Sequence, residues 1–111
     1  MEDSVKFGAS AYRELWTSLA SLLRSYTALY GLNGKAEATV EQDEERILAR
    51  CGKVWLELRR TDAKVSWRRE DGRNGSLELT EGGQLRSDGA ENGVEEEMDM
   101  AAEAWARELM Q

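Results

Sequence analysis

The sequence predicts an α+β fold: an N-terminal helix, a four- to five-stranded antiparallel meander and a C-terminal helix, both helices on one face of the sheet. Three observations predict it. Apolar residues recur at spacings of three and four near both ends of the chain, the period of a helix with one buried face. Between those ends the period changes to two, the signature of a half-buried strand. Every connection in that middle stretch is short, which suits antiparallel neighbours and not parallel crossovers. A chain of 111 residues has the length of one domain, so residues 1–111 are read as one unit.

The first helix is expected over 4–30. Val5, Ala9, Tyr12, Trp16, Leu19, Leu23, Tyr26 and Tyr30 form its apolar stripe, with Leu15, Leu22 and Leu29 on one flank. Asp3 or Ser4 can cap its start, and Gly31 with Asn33 and Gly34 supplies the stop. Its back is Ser10, Thr17, Ser21, Ser25 and Ala28, poorly charged in a chain that is 33% charged. A helix back of this kind suggests cover by another helix or by a second copy.

The strands are expected within 35–87. Ala36, Ala38 and Val40 alternate with polar residues, and a second strand runs from about Glu45 to Cys51. After Gly52, Val54, Leu56 and Leu58 alternate with Trp55, Glu57 and Arg59; after Asp62, Val65 and Trp67 alternate with Lys64, Ser66 and Arg68. Asp71-Gly-Arg-Asn-Gly75 reads as a turn with two glycines available for positive φ, followed by Leu77, Leu79 and, past Gly82-Gly83, Leu85. A polar linker over 87–93 then leads to a helix over 94–110. Asn92 and Glu95 form a capping-box pattern, and Val94, Met98, Ala101, Ala102, Trp105 and Leu109 share one stripe. Acids crowd its first turns, where the helix dipole favours them.

Composition excludes whole classes of chemistry. The chain has no His, no Pro and a single cysteine, Cys51. His-based triads, Cys–His pairs, thiolate zinc sites and intrachain disulfides all lack their parts. Cys51 reads as a small buried hydrophobe. No glycine-rich phosphate loop follows a strand. Carboxylates four apart, such as Glu95 with Asp99 and Asp99 with Glu103, could hold a divalent cation, but a solvated helix face explains them as well. No catalytic residues, metal ligands or cofactor are therefore expected. No apolar run is long enough to cross a bilayer, and Met1-Glu2-Asp3-Ser4 lacks the features of a secretory signal, so a soluble, cytoplasmic chain without membrane contact is expected.

Charge points to a surface. The net charge is −7, yet between Arg46 and Arg73 nine basic residues stand against four acidic ones. That stretch carries +5 and the remainder −12. Alternation puts Lys53, Trp55, Arg59, Lys64 and Arg68 on the outward face of the sheet, and the neighbouring strand adds Leu48 and Arg50. Trp among arginines suits a plain solvated surface with the indole covered by arginine stems, a protein contact or a stacking platform for single-stranded nucleic acid. The favoured expectation is a non-enzymatic interaction or assembly module that binds a protein partner or itself, as a homodimer. Nucleic-acid binding through the basic outer face is the runner-up. No motif ties the chain to a family.

Overall fold

The computed structural model describes residues 2–31, 37–80, 82–87 and 95–110, with side chains within 11–86 and 95–110. Helix α1 (Glu2–Gly31) leads into seven strands: β1 (Thr39–Gln42), β2 (Arg46–Cys51), β3 (Val54–Thr61), β4 (Lys64–Arg69), β5 (Asn74–Leu79), β6 (Gln84–Ser87) and β7 (Glu95–Glu97). Helix α2 (Met98–Leu109) follows. All seven strands lie in one curled antiparallel sheet in sequence order. Among the described residues no helix is long and apolar enough to cross a membrane.

Two tight hairpins set the register. Gly52, at φ +64°, opens the turn that pairs Cys51 with Val54, and Asp62, at φ 55°, opens the one that pairs Thr61 with Lys64. Positive φ at the first turn position matches the twist of two-residue hairpins. From there alternation sends Ile47, Ala49, Leu56, Leu58, Val65, Leu79 and Leu85 to one face, where they join Trp16, Leu19, Leu23, Met98, Ala101, Ala102 and Leu109 in one buried cluster. The core thus lies between the helices and this inner face.

The largest core side chain, Trp16, is fully buried and donates its indole N–H to the Asp43 carbonyl at 2.9 Å. Arg60 reaches over the Trp16 ring at 5.9 Å, and its Nη2 donates to the Glu44 carbonyl at 3.0 Å. That arginine is an inner-face residue. So is Arg69, whose Nη1 meets Glu108 Oε1 on α2 at 2.5 Å. Two of the nine basic residues counted above are therefore committed to the helix side.

The strand count corrects the expectation of four to five. Residues 84–87, inside the stretch expected to hold four to five strands, form a strand of their own, β6, and Glu95–Glu97, expected inside a helix over 94–110, form β7. Three consecutive glutamates are poor strand formers. Cross-strand pairing offsets this: Arg86 on β6 holds Glu95 at 3.0 Å, and the Met98 N–H donates to the Gly83 carbonyl. α2 then starts four residues later than expected, with Glu97 as its N-cap residue and no side-chain cap bond. α1 starts at Glu2, so Asp3 and Ser4 lie within the helix and do not precede it. Asn92, Gly34 and most of the linker expected over 87–93 fall outside the described residues.

Gly75 also departs from its expected role. Gly72 takes the positive φ of its turn, whereas Gly75 sits in β5 opposite Trp67. A Cβ there would lie 2.6 Å from Trp67 Nε1, so this glycine makes room for an indole.

The sheet's two edges are guarded differently. On β1 the Val40 carbonyl accepts from Arg24 of α1 at 3.4 Å, and Gln42 reaches Thr17 of α1 at 3.2 Å. β7 is three residues long and acidic throughout. Helix cover and short charged edges both discourage edge-to-edge pairing.

Candidate functional site

On the outer face the register builds a three-by-three grid. Arg50, Leu48 and Arg46 come from β2, Trp55, Glu57 and Arg59 from β3, and Ser66 and Arg68 from β4, with Glu70 beyond its end. Glu57 is the centre. Although it points away from the core, it is only 4% exposed, because the surrounding side chains close over it. Arg46 Nε donates to Glu57 Oε2 at 2.5 Å, Arg68 Nη2 donates to Oε1 at 2.7 Å, and Arg59 Nε stands 3.6 Å from Oε1.

Burial pushes the Glu57 carboxyl toward the neutral form. Hydrogen bonds from Arg68 and Arg46, with the charges of Arg46 and Arg59, more than reverse this and hold its pKa below the ordinary carboxylate value. One negative charge therefore holds two guanidinium groups by hydrogen bonds and attracts a third, leaving an excess of two positive charges. The arginine side chains remain 42 to 63% exposed, so their outer donors face solvent. Arg68 also stands 6.0 Å from the centre of the Trp55 ring.

Shallow hollows flank this centre. One, of about 200 Å³, is walled by Arg46, Leu48, Arg50, Trp55, Glu57 and Arg68; the other, of about 280 Å³, by Glu57, Arg59, Ser66 and Arg68. Of the residues expected from sequence to form a site, Arg50, Trp55, Arg59 and Arg68 are brought together. Lys53 sits in the β2–β3 turn, and Lys64 lies at the far end of β4 opposite Thr61 and Glu78. Neither lines either of these two hollows.

Arg46 and the organising role of Glu57 escaped the sequence reading. The signal that could have found them is the two-residue turn at Gly52-Lys53. Pairing Cys51 with Val54 forces Arg46 opposite Arg59 and Leu48 opposite Glu57. The positive surface is also bounded. Glu41 on β1 pairs with Leu48 on one side, Glu70 accepts the Trp55 N–H at 3.2 Å, and Glu78 and Glu95 bracket Arg86 on the far strands. It is an island, not a stripe.

The carboxylates of α2 have other work. Tyr26 donates its hydroxyl to Asp99 Oδ1 at 2.7 Å, and Tyr30 donates to Glu103 Oε2, so both acids tie α2 to α1. Among the described residues no group of three His, Cys, Asp or Glu side chains is placed to hold a metal ion. Cys51 is a free, half-buried thiol. Comparison with protein-family models, with curated proteins and with solved structures finds no match to this chain.

Proposed function

We propose that this chain is a non-enzymatic interaction module whose outer sheet face docks an acidic segment of a partner protein. The observation that carries the reading is the arrangement around Glu57, three guanidinium groups gathered on one carboxylate, two of them held by hydrogen bonds. An incoming carboxylate meets donors whose positions are already set, so less side-chain entropy is lost on binding. Trp55 and Leu48 supply an apolar anchor beside the charges, and Trp and Arg are the residue types that dominate binding hot spots.

The bounded shape of the positive surface favours a protein over nucleic acid. A strand of phosphates is best served by a continuous basic track, whereas Glu41, Glu70, Glu78 and Glu95 interrupt this one. An acidic patch with basic neighbours on a partner would complement both the island and its surround.

Fluorescence anisotropy with a labelled Glu/Asp-rich peptide and with a single-stranded oligonucleotide of equal charge tests the proposal. The peptide binds at low salt, and Arg46→Ala with Arg68→Ala weakens it by roughly tenfold or more, while the oligonucleotide binds no tighter than the peptide. Tight oligonucleotide binding, with log K falling by about 0.7 per phosphate per decade of salt, would replace this reading by the nucleic-acid one. Binding of neither probe refutes it.

A further inference from the structure

The inner face is not covered uniformly. Between α2 and strands β4–β7 lies a cleft of about 620 Å³, within the range of about 300–1,000 Å³ common for small-molecule sites. Its walls include Trp67, Leu77, Ala104 and Trp105, and its rim is formed by Glu95, which is paired with Arg86, and by Glu96. We infer that this cleft binds an organic cation with an apolar body, such as an aryl- or alkylammonium.

Three features argue for that class. First, Gly75 allows the wall: a Cβ at that position would press within 2.8 Å of three atoms of the Trp67 indole, so only glycine lets the ring lie where it does. Second, both tryptophans line the cleft and are only partly buried there. Large aromatic surfaces left open beside leucine and alanine offer an apolar body a place to lie. Third, Glu96 is an acid at an inner-face position. It pairs with Leu85, which in turn pairs with Leu79, and both leucines are buried. Among the described residues Glu96 has no ion-pair partner, while its neighbour Glu95 is neutralised by Arg86 on the other face.

An unpaired carboxylate at the mouth of an aromatic recess attracts positive charge, and the recess itself accepts an apolar body. An ammonium group beside Glu96 with its hydrocarbon toward Trp67 and Trp105 satisfies both surfaces. A neutral ligand would gain nothing from the carboxylate, and an anion would be repelled. This site lies on the opposite side of the sheet from the arginine island, so the two readings stand or fall separately.

The test is a titration of ¹⁵N-labelled protein followed through the four indole N–H signals, each assigned from a Trp→Phe variant. Phenethylammonium is the probe and 2-phenylethanol its neutral counterpart. The Trp67 and Trp105 signals should move while those of Trp16 and Trp55 stay, and the ammonium should bind roughly tenfold tighter than the alcohol. Glu96 is exposed, so Glu96→Gln keeps the fold, and it should erase the preference for the ammonium. Immobile Trp67 and Trp105 signals at millimolar probe overturn the inference, as does equal affinity for the two probes or a preference that survives Glu96→Gln.

Discussion

Glu57 loses nearly all its water on the side of the sheet that faces solvent, and three arginines replace it. Removing the carboxylate leaves the guanidinium groups mutually repelling but free to turn outward, so Glu57→Ala should cost about 1–3 kcal/mol. Because the folded pKa lies below the ordinary value, the contribution is complete above the unfolded carboxylate pKa and fades as pH falls through the folded one. Urea unfolding of the native protein and of Glu57→Gln should therefore differ by a constant amount near neutral pH and converge in acid. A difference that persists unchanged in acid contradicts the ion-pair account. The two sheet tryptophans make a second comparison. Alternation correctly separates Trp67 from Trp55, but Trp67 is half-buried at a cleft and not sealed in the core. Its truncation to Ala should cost about 2–3 kcal/mol, below the roughly 3–5 of a fully buried aromatic, and Trp55→Ala about 1 or less. Chemical denaturation of the two variants checks the order.

At the scale of elements, α1 and α2 are joined by a pair of phenol–carboxylate hydrogen bonds one helical turn apart, Tyr26 to Asp99 and Tyr30 to Glu103. Hydrogen bonding to the carboxylates, then burial and the nearby negative charge, raises both phenol pKa values above the usual tyrosine range. A group whose folded pKa is raised stabilises below its unfolded value and ceases to do so as pH rises through the folded one. Absorbance titration should show two tyrosines ionising later than free tyrosine, and Asp99→Asn with Glu103→Gln should bring them back. The same helices show what sequence periodicity can reveal. The stripe through Trp16, Leu19 and Leu23 was legible because each third or fourth residue is apolar, and the hairpins because glycine or aspartate stands at each turn. β7 was not legible. Glu95–Glu97 carries the composition of a helix start, and only its pairing with Arg86, nine residues away, makes it a strand. Arg60 and Arg69 were counted as surface charge for a similar reason: each occupies an inward position whose partner, Trp16 or Glu108, comes from a distant helix.

For the whole molecule, the guarded sheet edges direct any association to faces. The homodimer expected from sequence would use the back of α1, where Thr17, Ser21, Ser25 and Ala28 are exposed, with Leu29 beside them at 54% exposure. Sedimentation equilibrium should then give a dimer mass that Ser21→Glu reduces to the monomer. A concentration-independent monomer mass for the native chain removes that interface. The arrangement of the chain has a further consequence in time. Each strand pairs with its immediate successor, so the meander can assemble from local contacts, which favour fast folding. The Tyr26–Asp99 and Tyr30–Glu103 contacts instead each close a span of 73 residues, and their loop entropy must be met before they can form. The helix pair should then behave as a latch fastened after the barrier. In stopped-flow measurements, Tyr26→Phe with Tyr30→Phe should leave the refolding rate nearly unchanged and quicken unfolding, so that these two phenols govern how long the native state survives and not how soon it is reached.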